Sequence, residues 1–524
     1  MKASNDINIV DVNGNPISAN MFGGGFAGGQ RNRDMASWNP GVRSADAELL
    51  PDMEAMVGRS HDLHRNYALI NGGIRVRTDN VVGAGLRLSA KPMWRELGQT
   101  AEWAAKWSRD VESKFYLWAN DTDCYCDAGR RMKLGAMTRL AYLQYVLSGE
   151  TLAVAEWLPD RGGRYATAIK MIDPARLSNP NNLMDTLRLR GGIESDMHDA
   201  PIAYNIRSSL QGDLQYAGSK AFEWNRVARE TPWGRRQVIH IYDNKRAGQS
   251  RGISEIASAI APAFKLHKLQ DTSLESAILN AMYAATIETD FNFAQAADAL
   301  GHEELSQSLK TVLGASASFS DGNDKHIKMG GAKIPHLFPG ERLNFSSLNH
   351  PGPNFGDFEY SFIRQLASAT GVTSEQVSRD YSKTNYSGAR SGLQEVWKFF
   401  IVDRTLVSAE FCDQSYALWL EEAIDKGDVE LPANAPDFHE AKTAYIRSRW
   451  IGPGRGAIDP LKEGKADELE LDIDATTLED LNARKGQDWQ EILEQRAVEK
   501  AFKEELGLER DDQRGYMAAD APTT

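Results

Sequence analysis

The sequence predicts an α+β protein, predominantly helical, and three observations carry that expectation. Between residues 150 and 243 the runs "TLAVAEWL", "ATAIKMID", "APIAYNIRSS" and "RQVIHIYDN" are rich in strand-forming residues and are separated by Gly, Pro, Asn and Asp clusters. On either side lie long stretches whose apolar residues recur at helical spacing. From Pro353 to Pro432 no proline interrupts the chain, which leaves that span free for long helices.

At 524 residues the chain exceeds one ordinary core, and size scaling implies roughly two to four packed units. With 41% hydrophobic and 25% charged residues it has the balance of a globular protein, and no apolar run approaches the ~20 residues needed to span a bilayer. The N-terminus carries no apolar stretch of signal-peptide length, so the expectation is cytoplasmic synthesis and no membrane partner. Cys124, Cys126 and Cys412 are too few and too unevenly spaced for a disulfide framework. A net charge of −13 does not suit sequence-independent gripping of DNA, where basic residues displace counterions.

In chain order, residues 1–35 contain "MFGGGFAGGQRNR" and are expected to form a flexible glycine-rich arm. Residues 36–250 read as an α+β unit, helical to about Trp118, with "VVGAGL" a turn and "MKLGAMTRLAYLQYVLSGE" a helix leading into a strand. From Ser254 the apolar spacing suits a helix broken or kinked near Pro262. Residues 287–350 combine a short helical insert, "ADALGHEELSQSLKTVLG", with the Gly- and Pro-rich "HIKMGGAKIPHLFPGERLNF", so a small β-containing protrusion is expected between two long helices. "DFEYSFIRQLASAT" reads as a helix ended by Gly371. The next helix has Asn385 or Ser387 as N-cap and a face of Ala389, Leu393, Val396, Phe400, Val407, Phe411 and Leu418. The last 70 or so residues are charged and helix-forming, with Asp474, Thr476 or Thr477 as a cap.

Catalytic constellations are sparse. "VVGAGL" lacks the third glycine and the ribose-binding acid of a dinucleotide fingerprint, "DTDCYCD" lacks the turn glycine and distal glutamate of a calcium loop, and "CYC" has no second pair for zinc. His61 and His64 share a helix face without a further ligand, and His240 sits in a strand pattern where packing is the expected role. Ser382 and Lys383 are adjacent, not one helical turn apart as a nucleophile and its base would be. No catalytic residue, cofactor or metal is expected.

Several segments together carry a family likeness: "RSHDLHRNYALINGGIRVRTDNVVGAGL", "CDAGR", "SGETLAVAEW", "MIDPARLSNPNN", "RGGIESDMHDAPIAYNI", "VIHIYDNKRAGQSRGISEIA", "RDYSKTNYSGARSGLQEVW" and "RWIGPGRGAIDPLKEGKADELELDIDATTLEDLNARKGQDW". In this order, from about residue 20 to 510, they resemble the lambda-type portal proteins of tailed bacteriophages. The resemblance implies a ring, typically dodecameric, at one capsid vertex of the virion, assembled in the host cytoplasm. Through it terminase would drive double-stranded DNA in, and from it DNA would leave. The implied partners are the terminase large subunit, head–tail connector proteins and the major capsid or scaffolding protein. It also implies a portal fold: a wing over 36–250, a first stem helix over 251–286, a clip over 287–350 and a second stem helix over 351–371. A tunnel loop over 372–388, a long wing helix over 389–430 and an acidic helical crown with its tail over 431–524 would follow. The tunnel loop would set Arg379, Tyr381, Ser382, Lys383, Asn385 and Tyr386 toward DNA, and the clip would offer Lys328, Lys333 and Arg342 to partner proteins. From Glu375 to Arg390 three basic and two acidic residues leave +1, enough for transient phosphate contact. The competing expectations are a DNA-packaging hydrolase, which needs a nucleotide loop or clustered carboxylates, and a non-channel scaffold or head–tail adaptor.

Overall fold

A computed structural model describes residues 37–282 apart from 39, the strand segments 286–289, 326–329, 332–335 and 341–344, and residues 354–508 apart from 383, 457 and 458. The expected arm over 1–35, the helical insert at 297–314, Lys383 and the tail beyond 508 lie outside the described residues. The described chain is mostly helical, with short antiparallel sheets.

Helix α1 (Ala45–Asn66) starts at Ser44, whose hydroxyl accepts the Ala47 amide, and α2 (Ala68–Val81) follows after one residue. The "VVGAGL" turn then reverses the chain. Gly85 has φ of +140°, and a Cβ there would lie 2.7 Å from the Gly135 Cα, so glycine lets this turn cross the start of a later helix. Strand β1 (Arg87–Ala90) comes next. Helix α3 (Ala101–Ala119) buries Ala104, Trp107, Val111, Phe115 and Trp118, the three- and four-residue steps of one helical face. Helix α4 (Leu134–Ser148), the one that Gly85 crosses, ends at Gly149 in the left-handed region and runs at once into β2 (Glu150–Trp157).

Strand β2 is the centre of a three-stranded sheet, paired antiparallel with β3 (Thr167–Ile172) and β8 (Val238–Tyr242). A four-stranded sheet of β4 (Leu189–Arg190), β5 (Ile193–Ser195), β6 (Pro201–Arg207) and β7 (Trp224–Ala228) stands beside it. Strands β4, β5 and β7 were not separable in the sequence because they are short and polar. Helix α5 (Ala257–Met282) runs unbroken through Pro262, so of the expected break or kink the break is absent. Proline that close to an N-terminus removes only one backbone bond of a long ladder. Beyond it β9 (Thr286–Thr289) pairs with β12 (Glu341–Asn344), and β10 (His326–Met329) with β11 (Ala332–Pro335).

Helix α6 (Phe355–Thr370), the five-residue α7 (Ser374–Ser378) and α8 (Tyr386–Asp403) follow. The helix expected across 389–430 runs without a break from α8 through a π-helical turn over Arg404–Ala409 into α9 (Glu410–Asp425). The wider turn rotates the buried face. Before it only Phe400 and Asp403 of α8 are buried, whereas after it almost every residue from Phe411 to Ala423 is. Helix α10 (Lys442–Ile446) and β13 (Ser448–Ile451) come next, and β13 pairs with β1 across more than 350 residues of sequence. Phe438, Ala444, Tyr445 and Trp450 therefore join the main core rather than the terminal helices α11 (Pro460–Asp472), α12 (Leu478–Arg484) and α13 (Trp489–Glu505). Thr477 is the cap of α12, accepting the Asp480 amide.

The main core gathers around Trp419, wholly buried and edge-on to Phe115 at 5.3 Å and Tyr165 at 5.5 Å. It draws on α3, α9 and the loop before β3, so three distant stretches of sequence meet on one indole.

A buried ionic cluster joins the two larger sheets. The Glu150 carboxylate accepts from Arg251 Nε at 2.8 Å and from His240 Nε2 at 2.9 Å, and it takes the Gly252 amide at 3.1 Å. The Arg251 guanidinium goes on to donate to the carbonyls of Leu177, Gly191 and Pro174. His240 is packed in the strand as expected, but its hydrogen bond goes to the Glu150 carboxylate rather than to backbone. Burial works to raise the Glu150 pKa, but Arg251 and His240 outweigh it and hold the carboxyl down at about 2. Because the folded value lies below the ordinary one near 4.5, the cluster's contribution is complete above about pH 4.5 and is lost as pH falls toward 2. Chemical denaturation at a series of pH values should show stability falling in that window by up to about 3 kcal/mol. Glu150→Gln, less stable at neutral pH because Arg251 loses its counter-charge, should show a shallower slope there.

Candidate functional site

The stretch from Gly371 to Arg390 joins two long helices, and its backbone is closely held. Gly371 ends α6 with φ of +70°, and a Cβ on it would stand 2.3 Å from the Phe399 ring, so no other residue fits without displacing that ring. Thr373 then opens α7 with a reciprocal capping box: its hydroxyl takes the Gln376 amide while the Gln376 side chain takes the Thr373 amide. Val372 and Val377 are buried. Val377 packs against Gly73 of α2, where an added Cβ would already be in contact with its methyl.

Arg379 closes α7 in the left-handed region at φ of +60°, its amide donating to the Glu375 carbonyl. The chain then turns outward. Ser382 donates its amide to Asp380 Oδ1, and Thr384 donates its hydroxyl to Glu375 Oε1 and its amide to the Tyr381 carbonyl. Asn385 Oδ1 accepts the Gly388 amide at 2.7 Å and so caps α8, which decides between the two cap candidates. Of the six expected site residues, Arg379, Tyr381, Ser382, Asn385 and Tyr386 are exposed together on this turn. Lys383 between them lies outside the described residues. Asn385 serves the helix rather than standing free. Lys328 and Lys333 are partners in the register of β10 and β11, and Arg342 is opposite Glu288 in β12 and β9.

Behind the turn lies a cluster that the sequence did not announce. Arg77 of α2 is 1% exposed, and its Nε and Nη2 both donate to Asp403 Oδ2 at the end of α8, at 2.9 and 2.7 Å. The Tyr142 hydroxyl donates to the same oxygen, and Arg77 Nη2 also reaches Glu255 Oε2 at 3.1 Å. Glu255 stands two residues before α5 and is paired on its other oxygen with Lys245. The guanidinium lies 4.6 Å from the Phe399 ring centroid, the same ring that Gly371 abuts. A continuous chain of contacts therefore runs from Gly371 through Phe399 and Arg77 to Asp403 and Glu255. The neighbouring carboxylates raise the Arg77 pKa despite its burial, so the guanidinium stays charged. The only sequence signal was an arginine at an apolar position of "GIRVRTDNVV".

Cys126, Cys412, Asp127 and His61 are tied into the fold, whereas His64 Nδ1 is buried without a hydrogen-bond partner among the described residues. Burial pushes the Cys126 and Cys412 thiols up to about 12, which leaves them without thiolate character. Asp127, in the acidic "DTDCYCD" stretch, spends its carboxylate on the amides of Gly129, Arg131 and Met132. His61 bonds Ser148 Oγ at 3.2 Å. The turn at 379–387 thus offers hydroxyls, an amide, a phenol and a guanidinium, which is chemistry for hydrogen bonding to a polar surface.

Asp403→Asn should lower stability by about 3–5 kcal/mol, because it leaves a buried guanidinium short of charge, whereas Tyr142→Phe should cost only about 1 kcal/mol. Thermal and denaturant unfolding of the two variants would read this ratio. Equal losses would mean that the charge pairing does not hold the cluster.

Comparison with known proteins places the chain among one group. A family model described as "Phage portal protein, lambda family" matches residues 31–404. The chain is 37% identical over 490 residues to the "Portal protein" of Escherichia phage N15, and 35% identical over 490 residues to "Portal protein B" of Escherichia phage lambda. Each match covers 93% of this chain and 90% of the relative. Among solved structures, a chain from the "Neck of native GTA particle computed with C12 symmetry" aligns with 82% of this chain and 95% of its own length, at 12% identity and a TM-score of 0.43.

Proposed function

The chain belongs to the lambda family of phage portal proteins, and from that premise we propose that copies of it close into a ring around duplex DNA, with residues 372–388 as the loop that faces the DNA. It is a structural portal protein and not an enzyme. In this reading the ring, of about twelve copies on the family's pattern, stands at one capsid vertex. The terminase large subunit packages DNA through it, and DNA later leaves by the same route. Head–tail connector proteins and the major capsid or scaffolding protein are the other partners. The domain scheme belongs to the same reading. Residues 36–250 are the wing, residues 251–286, which contain α5, the first stem segment, and residues 351–371, which contain α6, the second. Residues 287–350 are the clip, 389–430 the long wing helix and 431–524 the crown and tail.

The observation that carries this reading is the set of exposed side chains at Arg379–Ser382 and Asn385–Ser387 on a turn whose backbone is fixed at both ends. A loop that touches a moving polyanion needs hydrogen-bonding groups held in place and little charge. Many cations would trap phosphates by counterion release, with affinity rising steeply as contacts are added. The clip fits the same scheme through Lys328, Lys333 and Arg342. Lys328 and Lys333 are opposed in register on β10 and β11.

Two measurements test the reading. Solution mass together with axial electron microscopy should give a closed ring with a central channel, and a monomer under all assembly conditions would contradict it. In packaging assays Ser382→Lys should form normal rings but slow translocation, more at low salt than at high salt, because added phosphate attraction is least screened there. Asn385→Ala is the less suitable probe, since it also removes a helix cap worth about 1 kcal/mol.

A further inference from the structure

We propose that helix α13 forms a seam between neighbouring copies of this chain, one apolar stripe of each helix packing on the opposite stripe of the next. The inference rests on the ring reading above. The helix is fastened at its start, where Asp488 caps the Gln490 amide and Glu491 is ion-paired with Arg87 of β1. From Leu493 to Leu508 every residue is exposed. A helix of this length gains little from its own backbone bonds in water, because nucleation is costly and stability normally comes from a buried apolar face.

The sequence of α13 has two such faces. At ~100° per residue, Val498, Phe502 and Leu506 fall on one stripe and Leu493, Ala497 and Ala501 on another. The stripes are about 140° apart on the side that carries Glu494 and Glu505, and about 220° apart on the side that carries Arg496, Lys500 and Lys503 together with Glu499 and Glu504. A helix lying on its own subunit needs one apolar stripe. Two stripes separated by charged arcs need a partner on each side.

A second copy of the same helix supplies both partners with a single kind of contact. In a cyclic array every α13 has the same orientation, so the first stripe of one copy meets the second stripe of the next, the heterologous contact that closes rings. The charges agree with that register. Glu499 borders the first stripe and Lys500 the second, and they differ in height by about 1.5 Å along the helix, so parallel neighbours bring them level. Within its own helix Lys500 only approaches Glu504, at 3.9 Å. Val498 and Phe502, exposed by 64% and 58%, are the side chains with most to gain from the contact.

Cysteine cross-linking in the full-length protein tests this. Two single variants, Val498→Cys and Ala501→Cys, are prepared with Cys124→Ser in both, since Cys126 and Cys412 are buried. They are then assembled alone or as a one-to-one mixture and treated with a short bismaleimide. The proposal expects covalent dimers in the mixture and none in either variant alone. Dimers in a variant alone would mean that like stripes meet, which overturns it. Rings of full mass with no cross-link in the mixture overturn it as well and leave the ring reading intact. Monomers at every concentration remove the ring reading and this inference together.

Discussion

The guanidinium of Arg77 is the constraint on which the rest of this structure depends. A buried cation cannot be left without counter-charge, because moving it out of water costs several kcal/mol even after relaxation. Here the compensation comes from three places in the chain: Asp403 at the end of α8, Tyr142 on α4, and Glu255 just ahead of α5. Satisfying one side chain therefore fixes the mutual positions of four helices. The turn at 372–388 inherits that order at one remove, through the Phe399 ring held between Gly371 and the Arg77 guanidinium. Arg404, the next residue after Asp403, performs a related service. It donates to the carbonyls of Asn80, Val81 and Pro453, and so satisfies the end of α2 while binding the π turn to it.

The distribution of charge fits the proposed handling of DNA. A chain with net charge −13 repels a polyanion at long range, and screening confines that repulsion to about a nanometre at physiological salt. Within that distance only local chemistry counts. The turn has one surplus positive charge among polar groups, while the stronger cations are withdrawn into the fold: Arg77 and Arg251 are both nearly inaccessible and paired with carboxylates. Arg77 and Arg251 thus serve the fold, and in the proposed reading the turn offers DNA mainly neutral hydrogen-bonding groups beside the exposed Arg379.

Much of this was legible in the sequence, and the parts that were not share a cause. Patterns local to a few turns were readable. The Gly371 terminus of α6, the Asn385 and Thr477 caps, the strands at 150–157, 167–172, 201–207 and 238–242, and the exposure of Tyr381 and Tyr386 all follow from neighbours within a few residues. What failed needed partners distant in sequence. The π turn at Arg404–Ala409 had no local signal, and its first residue bonds the carbonyls of Asn80 and Val81 more than 300 residues away. The pairing of β1 with β13, which draws residues 438–451 into the main core, cannot be inferred from either short strand alone. Pro262 misled for the opposite reason, since the tertiary packing of Ala259, Ala263 and Leu266 holds a helix that local propensity would have interrupted. For the candidate site, its polarity was readable and its place in the chain came from the family resemblance, but the Arg77 contacts behind it were not readable, because their partners are distant in sequence.

The central claim is that the buried guanidinium orders the turn, and amide hydrogen exchange in an Arg77→Lys variant measures that most directly. Lysine keeps the charge but loses the planar fork that binds Asp403 through two nitrogens and stacks on Phe399. The account predicts faster exchange in residues 371–379 and 386–400 and unchanged protection in α3 and in the β2–β3–β8 sheet. Unchanged exchange across 371–400 in a folded variant would contradict it.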